Sequence, residues 1–180
     1  MKLIELIEFM GRFFEKEKVD YFIFGATAMN FWAPPRNTVD LDAVVAVDKR
    51  RGVAFLDQLR KSKFPITKDQ SRKFFEGRIV QIPLGDTQLD LKICKTRHER
   101  EALARARSFD HPNYRLRIAS PEDLVLFKLQ AWRRQDQADL ERLVQHRKDL
   151  DLTYIRSWLG PIEEGTGFPM AQRWDEFRKA

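Results

Sequence analysis

Residues 38–47 read TVDLDAVVAV. No other stretch limits the possible folds as much. In a strand, successive side chains point to opposite faces. Val39, Leu41 and Ala43 then point one way, and Asp40 and Asp42 the other. The two aspartate Cα atoms lie about 6.5–7 Å apart at normal strand rise, so their carboxylates converge on one small volume. Like charges held so close raise each other's pKa. A divalent cation removes that cost, and magnesium commonly uses one or two carboxylates together with substrate phosphates.

Two further features point to the same place. TQLDLKI alternates in the same way, with Gln88, Asp90 and Lys92 on its polar face. If that strand lies beside residues 39–45, Asp90 becomes a third acid at the pair, and two magnesium ions fit three such acids. The other reading of this face is a salt-bridge ladder through Lys92. Upstream, the strand YFIFG ends at Gly25, and Ala26-Thr27 opens a short helical turn. Glycine allows a phosphate close approach, and free backbone N–H groups with a hydroxyl form an anion site.

The remaining pattern sets these strands in a layered fold. Leu3, Ile7, Met10 and Phe14 predict a helix over about 2–17. Val53, Leu56 and Leu59 predict another over 50–62. RIVQIPLGDTQLDLKI predicts a hairpin turning at Gly85-Asp86, and a charged helix follows over 97–107. Ser120-Pro121-Glu122-Asp123 is a helix start with a capping serine, proline at the first helical position and an acid at the third. That helix runs to about Arg134. A second begins near Asp136 with Leu140, Leu143 and Val144, a third covers 154–159, GPIEEGTGFPM reads as a loop, and a short terminal helix follows. The order implies an α/β (α+β) fold: a small mixed sheet flanked by helices over 1–118, and a helical C-terminal part over 119–180 packing on it.

Charge bears on the partner. Lys and Arg number 33 against 27 Asp and Glu, a net charge of +6, which favours a polyanionic partner such as a nucleotide or RNA. Lys95, Arg97, Arg100, Arg105, Arg107, Arg115 and Arg117 form the densest basic tract, readable as an RNA-tracking surface or as a solvated face. A lone cysteine, Cys94, excludes an internal disulfide. No run reaches the roughly 20 apolar residues of a membrane span, and the N-terminus lacks a signal-peptide pattern, so the chain reads as cytoplasmic. The three histidines lack zinc-ligand spacing.

Taken together, Gly25-Ala26-Thr27-Ala28, Arg36-x-Thr38-x-Asp40-x-Asp42 and Asp90 resemble the DNA polymerase β-type nucleotidyltransferase superfamily. With Lys128 in SPEDLVLFKLQA and Asp139 in RRQDQADLERL, they are similar to its AbiEii-like branch, many of whose members are toxins of toxin–antitoxin pairs. Ala26 stands where many relatives have glycine or serine. The resemblance implies two Mg2+ ions on Asp40, Asp42 and Asp90, with Asp90 also helping to deprotonate the attacking hydroxyl. It implies an NTP substrate cradled by Gly25, Ala26 and Thr27, with Lys128 offsetting triphosphate charge. Read from their own positions, Arg36 pairs with a phosphate or an acid and Thr38 buttresses the carboxylates, or both are structural. The implied acceptor is a hydroxyl, either a tRNA 3′ end or other RNA with an antitoxin protein as partner, or a small antibiotic-type molecule. An inactive nucleotide- or RNA-binding module is the remaining reading.

On the residues alone, Lys128 interrupts an apolar helix face, which fits either a packed stem with its ammonium at the rim or a lysine aimed into a cleft. Asp136 reads as a helix cap. Asp139, one turn before Leu143, reads as a site residue holding Lys128 or assisting the nucleophile.

Overall fold

A computed structural model describes residues 1–179. The chain builds α1 (Leu3–Lys16), β1 (Asp20–Phe24), α2 (Gly25–Met29), β2 (Asp40–Ala46), α3 (Lys49–Lys61), α4 (Lys68–Glu76), β3 (Val80–Leu84) and β4 (Thr87–Ile93). Then follow α5 (Arg97–Arg105), β5 (Arg107–His111), β6 (Tyr114–Ile118), α6 (Pro121–Ala131), α7 (Arg134–His146), α8 (Leu152–Thr166) and α9 (Met170–Lys179). The six strands form one mixed sheet in the order β3-β4-β2-β1-β6-β5. β2 runs parallel to β4 and antiparallel to β1, and β1 runs parallel to β6. This is a mixed α/β fold, one sheet flanked by helices. Among the described residues no helix is long and apolar enough to cross a membrane.

Strand alternation gives the sheet two unlike faces. Tyr21 of β1 points to the back, where Phe14 of α1 stacks on it at 3.9 Å. Phe55 of α3 sits there among Phe13, Phe14 and Phe74, with centroids 5.5, 6.2 and 6.5 Å away. Each fully buried phenylalanine contributes roughly 1.5–3 kcal/mol, so this aromatic layer is a main source of stability. Phe22 and Phe24 point to the front, against Phe127 of α6 at 5.8 and 5.4 Å. Register puts Phe24 opposite Asp42 and Phe22 opposite Val44. The acids of β2 therefore share the front face with α6.

Three elements depart from the sequence expectation. α4 has only Phe74 fully buried, so apolar period does not reveal it. It rests on a capping box between Thr67 and Gln70 and ends at Gly77 in the left-handed region (φ +84). The β5–β6 hairpin supplies an edge strand with a largely exposed, polar sequence. GPIEEGTGFPM is not all loop: α8 continues to Thr166, because Ile155, Leu159 and Ile162 recur at helical spacing and are buried. That stripe outweighs the donor missing at Pro161.

Candidate active site

β2 and β4 pair with Asp42 opposite Asp90 and Asp40 opposite Gln88. Opposed residues in a sheet share a face, so Asp40, Asp42 and Asp90 line one cleft, as expected from their alternation. Gly25 meets them from β1. Its φ is +65, and a Cβ there would overlap the Asp42 carboxylate, lying 2.5 Å from its Cγ. Glycine is therefore needed twice at this position, for backbone conformation and for the space the carboxylate fills. Gly25 and Ala26, the first two residues of α2, form part of the cleft wall.

Thr27 is placed differently from the expectation. It is buried, and its hydroxyl donates to the Asp40 carbonyl at 2.9 Å. It ties α2 to the start of β2 and does not line the cleft. Thr38 lines the cleft, but its Oγ1 accepts from the Asp40 backbone amide at 3.3 Å, so it supports the start of the strand and not a carboxylate.

The acids carry an electrostatic cost. Burial first, then Asp90 and Asp40, push the Asp42 carboxyl up to about 7, against the opposing pull of Lys128 and Arg133. Burial also raises Asp90, although Gln88 donates to its Oδ1 at 2.6 Å. Among the described residues no hydrogen bond relieves the Asp42 carboxyl. Among the described residues no group of three or more His, Cys, Asp or Glu side chains is arranged to hold a metal ion by itself. The open set fits magnesium bound partly by substrate phosphates: hard oxygen donors, and at Asp42 a carboxylate with no cation in contact.

A cationic network stands across the cleft. Lys128 of α6 is buried, with Nζ 2.8 Å from Asp136 Oδ1 and 2.8 Å from Asp139 Oδ2. Asp139 also accepts from Arg36 Nε at 2.8 Å, Arg36 Nη2 at 2.9 Å and Arg142 Nη2 at 3.2 Å. Burial would raise Asp139, but the bonds from Arg36 and Lys128 prevail and hold it down at about 2. With three cations on it, Asp139 holds Lys128 in place. Arg36 takes the acid of its two alternatives. Its backbone is clamped by Asn30, whose Oδ1 accepts from the Arg36 amide at 3.0 Å and whose Nδ2 donates to the Arg36 carbonyl at 2.9 Å.

Asp136 does more than cap. At the third position of α7 it accepts from the Arg133 amide at 3.1 Å, and it also accepts from Lys128. Asn30, Arg133 and Asp136 were not legible as a set, because the chain separations between these network residues hide their meeting. Four cations (Arg36, Lys128, Arg133 and Arg142) share two carboxylates there, which leaves positive charge facing the acids of β2 and β4.

The basic tract of residues 95–117 does not form one free surface. Lys95 donates to the Phe75 carbonyl, Arg100 to the Lys95 carbonyl and Arg117 to the Leu103 carbonyl. Arg105 pairs with Glu122 at 3.1 Å, and Arg97 lies over Trp158 at 5.5 Å. Lys92 is likewise committed to the buried Glu99, so no ladder joins it to the aspartates.

The cleft encloses about 740 Å³. Leu124, Phe127, Lys128 and Ala131 give it one wall along α6.

No protein-family model matches the chain, and no curated protein matches it in sequence. Solved structures do. An antigenic nucleotidyltransferase-like protein from Paracoccidioides brasiliensis aligns over 92% of this chain and 89% of its own, with a TM-score of 0.57 and 16% identity. The antibiotic-resistance factor ANT(2'')-Ia aligns over 93% and 95%, with a TM-score of 0.51 and 13% identity. JHP933 from Helicobacter pylori aligns over 94% and 76%, with a TM-score of 0.50 and 14% identity. At such identities the likeness is one of fold.

Proposed function

We propose that this protein is a magnesium-dependent nucleotidyltransferase that moves a nucleoside monophosphate from an NTP to a hydroxyl acceptor. The observation that carries the reading is the pairing of Asp42 with Asp90 beneath a glycine whose missing side chain makes room for the carboxylate. Asp40, Asp42 and Asp90 would hold the metal. When bound, magnesium would offset the clustered charge and stabilise the attacking and leaving oxygens of an in-line displacement.

The chain's own residues supply the rest. Arg36 and Lys128, fixed by Asp139, present positive charge to the triphosphate. The Gly25 and Ala26 backbone lets it approach closely. The acceptor oxygen bonds to the α-phosphorus, the bond to pyrophosphate breaks, and the acceptor proton passes to Asp90. Gln88 fixes that carboxyl through Oδ1.

Two acceptor classes remain in view. The net charge of +6 supports RNA, and with it a tRNA 3′ end, the role of a toxin and an antitoxin partner. The likeness to an antibiotic-resistance factor supports a small hydroxylated antibiotic. Incubation with α-labelled NTPs, magnesium, and either total RNA or aminoglycosides, beside Asp42→Asn, separates them. Label moving to RNA with the wild type alone supports the first, and label on the aminoglycoside the second. No transfer to any acceptor overturns the enzyme reading, and magnesium-independent nucleotide binding unaffected by Asp42→Asn marks an inactive binding module.

A further inference from the structure

One aromatic ring on the cleft wall has no part in the charge network. α8 ends at Gly167, whose φ of +73 turns the chain. Phe168 follows, 42% exposed, and lines the same cleft as Asp40, Asp42 and Lys128. Its ring faces the Arg173 guanidinium at 5.3 Å. Arg173 is itself fixed, because its Nη1 donates to the carbonyls of Leu129 and Gln130 at 2.7 and 2.8 Å, in the last turn of α6. Those carbonyls lack helical partners, so one arginine both caps α6 and backs Phe168. The Phe168 amide is bonded to Thr166 Oγ1 at 3.3 Å, and its carbonyl accepts from the Met170 amide at 2.8 Å. The ring is pre-set, yet much of it is left to solvent.

The wall of this cleft combines charged, apolar and amide groups. Leu124, Phe127, Lys128 and Ala131 lie along one side of α6 over eight residues, about 10 Å of helix. Phe127 packs on Phe24, next to Gly25 and its aspartates. Gln130, Ala131 and Gln135 line the cleft toward the C-terminal end of α6 that Arg173 caps. Beside the charge of Lys128 and Arg133 the same cleft thus offers a flat apolar ring and two side-chain amides, with Gln130 Nε2 donating to the Leu126 carbonyl at 3.4 Å.

We propose that Phe168 is the stacking platform for the base of the incoming nucleoside triphosphate, with Gln130 and Gln135 at the base edge. This rests on the nucleotidyltransferase reading of the cleft. Stacking on an aromatic ring tolerates any base, so Phe168 sets affinity and the two glutamines set preference among NTPs.

Calorimetric titration of the full chain with magnesium and each NTP tests this, with inorganic triphosphate as a probe that has the charge but no base. Phe168→Ala weakens NTP binding by about tenfold or more and leaves inorganic triphosphate unchanged, while Phe168→Trp retains NTP affinity. A Phe168→Ala protein that binds NTP like the wild type overturns the proposal, as does equal loss of NTP and triphosphate. A change confined to the acceptor KM assigns the ring to the acceptor and also overturns it. If wild type transfers label while Phe168→Ala is unaffected, only this proposal falls. If wild type binds no NTP, the reading of the cleft falls with it.

Discussion

The two faces of the sheet are made by the same strands and obey opposite rules. On the back, Phe13, Phe14, Tyr21, Phe55 and Phe74 close into a dry aromatic layer. On the front, residues one step along in sequence place Asp40, Asp42 and Asp90 in a cleft. Strand alternation lets a short chain keep stability and chemistry on opposite sides of one backbone. The back is largely apolar, with the Tyr21 hydroxyl donating to the Arg115 carbonyl at 2.7 Å, and the front holds a buried carboxylate, Asp42, whose charged form burial disfavours.

The largest expected effect breaks the back. Phe55→Ala costs about 3–5 kcal/mol by denaturant unfolding, and in protein that remains folded it leaves nucleotide affinity unchanged. If affinity falls in step with stability, the faces are not separate.

Next comes the cost carried by the front. An unfolded aspartate titrates near 3.9, whereas folded Asp42 titrates at about 7. Between these values the folded state keeps a proton that the unfolded state has released. Stability therefore falls as pH rises from about 4 to 7 and levels above. Asp42→Asn removes that slope. Without magnesium, the variant is more stable than wild type above pH 7 by roughly 2–4 kcal/mol, and the two converge near pH 4. Magnesium raises the melting temperature of wild type alone. Melting curves across pH check both.

A smaller change tests the join between the faces. Gly25→Ala forces a Cβ onto the Asp42 carboxylate, costs about 1–3 kcal/mol, and abolishes the magnesium-dependent rise in melting temperature. Asn30→Ala is the mildest. Losing the clamp on the Arg36 backbone costs about 1 kcal/mol in urea unfolding, with a lower transfer rate because Arg36 is less well held.

Local rules wrote much of this into the sequence. Asp40, Asp42 and Asp90 betray themselves by alternation, α6 by its Ser-Pro start, and Gly25 by ending a strand. What stayed hidden lacks a period. α4 rests on a capping box and one buried phenylalanine, and β5 is an exposed edge. The cationic network could not be read because Arg36 and Asp139 meet across 103 positions. Thr27 went astray because a hydroxyl at a helix start serves a ligand or a neighbouring carbonyl equally well. Phe168 lay in a stretch whose proline and glycines suggested a loop.

The bond from Arg36 to Asp139 also sets a schedule. During synthesis at roughly 5–20 residues per second, Arg36 leaves the ribosome about 5–20 s before its partner. Through that interval the β2 acids can already lie against Gly25, but Lys128 and Asp139 have yet to arrive. The growing chain therefore lacks its Lys128–Asp139–Arg36 network until the helical part docks, and the cleft gains that wall only in the finished fold.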